Sequence, residues 1–103
     1  MDLKLSGKVA IVTGASIGVG RAIARSLAQE GARLAIVARG RERLEAVADA
    51  LAAEGFERPL VLACDITQPD TPSVVRAAVL EAFGSADILV NNAGGSRPFE
   101  GLG

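Results

Sequence analysis

The residues with the clearest chemical potential run Thr13-Gly14-Ala15-Ser16-Ile17-Gly18-Val19-Gly20, between a β-branched run and a segment with helical spacing. Glycines at 14, 18 and 20 let the backbone turn sharply and let an anion approach it closely. A helix beginning just beyond such a turn offers its free N–H groups and the positive end of its dipole to that anion. The chemistry implied is the holding of a diphosphate rather than the making of bonds. The spacing is G-x3-G-x-G, not the commoner G-x-G-x-x-G, and no Gly-Lys-Ser/Thr ending follows, so this is not a P-loop. Polar residues also stand where later apolar runs end: Arg39, Asp65, and the string Asn91-Asn92-Ala93-Gly94.

What the chain lacks narrows the chemistry further. Its 103 residues include no His, Tyr or Trp, which removes the commonest general base, a common metal ligand and the phenolic acid together. The one cysteine, Cys64, excludes an internal disulfide and a multi-cysteine zinc site. No metal site is expected. Eleven basic and 12 acidic residues leave a formal charge of −1, which makes no electrostatic case for nucleic acid or an anionic membrane. No apolar run nears the ~20 residues that span a bilayer. Met1-Asp2-Leu3-Lys4-Leu5 carries no signal-peptide hydrophobic region, so a cytoplasmic location is expected.

The elements that must position these residues alternate along the chain. Short apolar runs at Val9–Val12, Leu34–Val37, Leu60–Ala63 and Ile88–Val90 lack period-two alternation, as strands covered on both faces do. Between them lie three helical segments, about 18–31, 41–55 and 72–84. The first places Ile23 and Leu27 on one face. The second carries Leu44, Val47, Ala48 and Leu51, and the third Val75, Ala78, Val79, Ala82 and Phe83. Gly31, Gly55 and Gly84 each follow a helix, and Thr71 before Pro72 reads as an N-cap. Arg41 and Glu45 are spaced to pair along one helix face. The order β-α-β-α-β-α-β predicts an α/β fold with a doubly wound parallel sheet and right-handed crossovers. No repeat or linker divides it.

The glycine turn, Asp65 after the third strand, and Asp87-Ile88-Leu89-Val90-Asn91-Asn92-Ala93-Gly94 at the fourth together resemble the classical short-chain dehydrogenase/reductase family. The resemblance runs from about Leu5 to Gly95. It implies a Rossmann-like sheet of which only the first half is present, with strand order 3-2-1-4. Residues 1–103 are then expected to be the N-terminal part of one dinucleotide-binding domain, without its C-terminal catalytic part.

The resemblance also implies roles. Gly14, Ser16, Ile17 and Gly18 would line the adenosine ribose and diphosphate, and Gly20 would let the first helix pack closely. Asp65 would accept a hydrogen bond from the adenine amino group, with a backbone contact from Ile66 beside it. Asn92, Ala93 and Gly94 would border the cofactor on the far side of the crevice. Thr13 and Asn91 would tie neighbouring strand ends, and Asp87 would be the polar residue entering a buried strand. NADP is favoured over NAD: a carboxylate ending the second strand would hold both ribose hydroxyls and repel a 2′-phosphate. Ala38 stands there instead, followed by Arg39, whose guanidinium suits a phosphate. Ile17 stands where many NADP-preferring relatives carry a second basic residue, and Arg41 is close enough in sequence to help.

The family's reaction moves hydride between a nicotinamide and a small-molecule carbonyl or secondary alcohol. It uses a serine, a Tyr-x-x-x-Lys pair and an asparagine on a preceding helix, all of which lie after the segment matched here. With no tyrosine in the sequence, no catalytic residue is assigned and the chain alone is expected to be inactive. The complete enzyme is expected to be a homo-oligomer. A non-catalytic dinucleotide-binding module and an inert truncated remnant are the alternative readings.

Overall fold

A computed structural model describes residues 5–15 and 18–92. Its elements are β1 (Val9–Thr13), α1 (Gly18–Gln29), β2 (Arg33–Ala38), α2 (Arg41–Ala53), β3 (Leu60–Ala63), α3 (Thr71–Phe83) and β4 (Ile88–Asn91). All pairings are parallel, and the sheet order is β3-β2-β1-β4. The α/β architecture and the strand order expected from sequence are both present.

Alternate side chains of each strand point to opposite faces, and the two faces build separate cores. Ala10, Val12, Leu34 and Ile36 pack beneath α1 and α2 with Ala24, Leu44, Val47, Ala48 and Leu51. Val9, Ile11, Ala35 and Val37 face the other way and meet Val75 and Val79 of α3. Helix α1 touches the sheet through the small residues Gly20, Ala24 and Ala28, with Ile23 and Leu27 flanking them. Small side chains allow a close approach, so the glycine turn ends close to the strand tips.

Three expectations need correction. Burial on both faces holds for β1 and for the interior of β2, but β3 and β4 are only half covered. They are edge strands, and α3 leaves Leu89 of β4 63% exposed. Ala82, expected on the buried face of α3, is exposed; Thr71, Val75 and Val79 form that face. Thr71 is also not the N-cap. Asp70 holds that position, while the Thr71 hydroxyl donates to the Asp65 carbonyl oxygen at 2.6 Å. The cap reading failed because a longer-range acceptor claimed the hydroxyl. The expected glycines do end their helices, with positive φ at Gly31, Gly55 and Gly84.

Asp87 locks β4 to β1. Its amide donates to the Val9 carbonyl oxygen at 2.9 Å, and its carboxylate Oδ2 accepts from the Val9 amide at 2.9 Å. A side chain thus replaces the next rung of the ladder, where a backbone donor buried with Val9 would otherwise lack an acceptor. Replacing Asp87 by Ala should cost about 1–2 kcal/mol in denaturant unfolding, and Asp87→Asn appreciably less. Equal losses for both variants would show that the acceptor oxygen is not what matters.

Candidate functional site

The site is built where strand ends meet helix starts. Gly14 turns the chain out of β1 with φ +64°. Its amide donates to the Val37 carbonyl oxygen at 2.8 Å, and Ala15 reaches the same acceptor at 3.4 Å. Those two N–H groups are spent on β2, so among the described residues the amides left to face an anion are those of the first residues of α1. No carboxylate stands in the first turn of α1 to compete.

The three glycines do different work. A Cβ on Gly14 would lie 2.6 Å from the Asn92 carbonyl oxygen, and its φ already disfavours any side chain. A Cβ on Gly20 would overlap the Gly14 carbonyl oxygen and stand 2.7 Å from Asn92 Nδ2. Gly20 therefore packs against the turn itself, where sequence reasoning placed the close approach between helix and strand. At Gly18 only the backbone, φ +58°, demands glycine, and the space around it is open. Two glycines shape the cradle, and the third leaves room in front of it.

The cradle is held from β4. Asn92 donates its amide to Thr13 Oγ1 at 2.9 Å, and its Nδ2 reaches the Gly14 carbonyl oxygen at 3.5 Å. Thr13 Oγ1 in turn donates toward Asn91 Oδ1 at 2.9 Å, with the Val90 carbonyl oxygen at 3.4 Å. The expected tie between the ends of β1 and β4 is therefore present, and Asn92 extends it into the glycine turn.

Asp65 follows β3 at the same end of the sheet. Its Oδ1 accepts from the Thr67 amide at 2.9 Å and the Thr67 hydroxyl at 2.6 Å. These hydrogen bonds hold its carboxyl below the usual carboxylate range, with the Arg39 guanidinium adding a smaller pull in the same direction. Asp65 is thus a fixed anion with Arg39 in its field. Arg39 is exposed, just before Gly40 at the N-cap of α2, a cap with no side-chain hydrogen bond. Arg41 pairs with Glu45 at 3.5 Å, as its spacing implied. Arg58 also binds Glu45. Sequence reasoning missed Thr67 and the anchoring role of Thr71. The first had a visible signal, an Asp followed two residues later by a Thr.

Of the expected site residues, the structure brings Gly14, Gly18, Gly20, Arg39, Asp65, Ile66 and Asn92 to one end of the sheet. Ser16, Ile17, Ala93 and Gly94 lie outside the described residues. Among the described residues no cluster of three or more His, Cys, Asp or Glu could hold a metal. No helix among them is long and apolar enough to cross a membrane.

The glycine cradle makes two predictions. Gly20→Ala should lower unfolding stability by about 1–3 kcal/mol through overpacking. Gly18→Ala should lose only about 1–2 kcal/mol of backbone preference, so Gly20→Ala should be the costlier of the two in urea titrations. Thr67→Val removes one of the bonds to Asp65 and should raise its pKa, read by carboxyl NMR titration. Because that pKa is lowered in the fold, the stability it contributes is present above the ordinary carboxylate range and is lost as pH falls through the folded value. The variant should lose less stability on acidification than the parent chain.

Known proteins share both the sequence and the geometry. The family model described as short chain dehydrogenase matches residues 8–102. A 1,6-dihydroxycyclohexa-2,4-diene-1-carboxylate dehydrogenase of Pseudomonas putida is 44% identical over 97% of this chain and 37% of its own length. A D-threitol dehydrogenase of Mycolicibacterium smegmatis is 44% identical over 93% of this chain and 36% of its own. Among solved structures, L-sorbose reductase from Gluconobacter frateurii, complexed with NADPH and L-sorbose, superposes with a TM-score of 0.85. It is 45% identical and matches 99% of this chain and 39% of its own. A metagenomic short-chain oxidoreductase in complex with NADP gives 0.82 at 48% identity, over 88% of this chain and 41% of its own. The chain thus spans a little more than a third of the curated relatives it matches.

Proposed function

The chain belongs to the short-chain dehydrogenase family, and on that premise we propose that it is the cofactor-binding part of an NADP-dependent oxidoreductase. In this reading residues 1–103 are the N-terminal part of a single Rossmann domain, and the catalytic serine, tyrosine and lysine belong to a C-terminal part outside it. Bound nicotinamide supplies hydride exchange with a carbonyl or secondary alcohol. The chain's own residues bind and orient, and none of them is assigned a proton-transfer step.

The observation that carries this reading is the cradle of Gly14, Gly20 and Asn92, packed so closely that no Cβ fits at either glycine. Such packing holds the start of α1 against the strand tips, where its free N–H groups would meet a diphosphate. Gly14, Ser16, Ile17 and Gly18 line the ribose and diphosphate, and the N-terminus of α1 faces the negative charge. Asp65, kept ionised by Thr67, accepts the adenine amino hydrogen, with Ile66 beside it. Asn92, Ala93 and Gly94 border the cofactor opposite the glycine turn. The choice of NADP over NAD rests on Ala38 and Arg39: the second strand ends without a carboxylate, and a guanidinium follows. The same reading makes the complete enzyme a cytoplasmic homo-oligomer acting on a small molecule.

Titration calorimetry with ADP-ribose and its 2′-phosphate tests the adenosine half directly. A guanidinium–phosphate contact of about 1.5–3 kcal/mol should favour the phosphorylated ligand by roughly 10- to 100-fold. Arg39→Ala should remove that preference and leave ADP-ribose affinity nearly unchanged. A preference that survives Arg39→Ala would sink the assignment of Arg39, and no binding of either ligand would sink the cofactor reading itself.

A further inference from the structure

Asp65 stands just past the end of the outermost strand. The β2–β3 register ends at Ala38 and Ala63, and the Cys64 amide adds one last bond to the Ala38 carbonyl oxygen at 2.9 Å. From there the segment 65–71 closes on itself. The Gln68 amide donates to the Asp65 carbonyl oxygen at 3.1 Å, and the Thr71 amide to the Gln68 carbonyl oxygen at 3.2 Å, which makes two successive turns. The Thr71 hydroxyl reaches back across both and donates to the same Asp65 carbonyl oxygen at 2.6 Å. A carbonyl oxygen offers two lone pairs, and here both meet fixed donors.

Thr71 is itself firmly placed. It is buried as the first residue of α3, and Val75 and Val79 of the same helix pack against Val9, Ile11, Ala35 and Val37. Its hydroxyl therefore refers the Asp65 backbone to the centre of the sheet rather than to the edge that Asp65 follows. The helix start does not use this hydroxyl, because Asp70 stands at the N-cap. Two threonines divide the work: Thr67 holds the Asp65 carboxylate, and Thr71 holds the backbone that carries it.

We propose that Thr71 is a positioning residue for recognition of the purine 6-amino group, acting through the Asp65 carbonyl oxygen. This rests on the reading above in which Asp65 accepts the adenine amino hydrogen. Without the hydroxyl, the turn keeps its Gln68 bond but loses its tie to α3, and the carboxylate is no longer held at a fixed place beside the base. What is lost is discrimination at the base, since the diphosphate and ribose contacts lie on other elements.

Titration calorimetry on the full chain compares ADP-ribose with its purine analogue, in which hydrogen replaces the 6-amino group. The parent should favour ADP-ribose by about 3- to 10-fold. Thr71→Ser, which keeps the donor, should retain that preference. Thr71→Val, of nearly the same shape, should bring the ratio to within about 2-fold of unity and leave affinity for the purine analogue unchanged. Thr71→Cys, a weaker donor, should fall between and gives the comparison if Thr71→Val does not fold. An unchanged ratio in Thr71→Val overturns the proposal, as does an equal loss of affinity for both ligands. Failure of both the Val and Cys variants to fold also overturns it, since the hydroxyl would then serve the fold. A parent chain that binds both ligands equally instead overturns the assignment of Asp65 to the adenine, and this proposal with it.

Discussion

One hydroxyl joins the two halves of this sheet at the point where the site is made. Thr13 Oγ1, almost fully buried at the tip of β1, accepts from the Asn92 amide while donating toward Asn91. Thr13 and Asn91 are also register partners across the β1–β4 pairing. Parallel strands have no hairpin to fix their relative height, so the height of β4 is set at its two ends: by Asp87 against Val9 and by Thr13 against Asn91 and Asn92. Once that height is set, Asn92 falls against the Gly14 carbonyl oxygen, and the space left for residues 14 and 20 admits no side chain. The glycines are thus a consequence of the knot as much as of any ligand.

This dependence explains why small residues recur where helix meets sheet. Gly20, Ala24 and Ala28 bring α1 down onto β1 and β2, which aims its first turn at the strand tips. A larger side chain at any of the three would lift the helix and move its free N–H groups away from the turn. The opposite face follows another logic. There α3 buries only Thr71, Val75 and Val79, and most of β4 on that side stays uncovered.

Much of this was legible in the sequence, for identifiable reasons. The parallel α/β architecture follows from apolar runs alternating with helical spacing, whereas the strand order came with the family resemblance, because crossover handedness alone leaves several orders open. The cradle glycines are legible because no other residue tolerates both the φ of Gly14 and the contact at Gly20. The half-buried state of β3 and β4 was not legible: an edge strand of such a sheet carries the same apolar run as a central one. Thr71 was misread because local capping and a bond to the Asp65 carbonyl oxygen use the same hydroxyl. Only the fold decides between them.

The charges at the carboxyl end of the sheet are arranged by sign. Asp65 is pinned as an anion by Thr67, after the outermost strand β3, while the first turn of α1 carries no carboxylate and that of α2 carries Glu42. Arg39 stands between these regions and feels Asp65. A long-range attraction to an exposed carboxylate is weak and screened, so it does not neutralise the guanidinium. It leaves the Arg39 donors to a stronger partner. A phosphate presents more charge and a geometry that fits the fork, so it would displace the Asp65 interaction at little cost. A neutral ribose hydroxyl would not. Under the proposed function, a weakly engaged arginine beside a firmly held aspartate would be the means of telling a 2′-phosphate from a hydroxyl without a second basic residue at position 17.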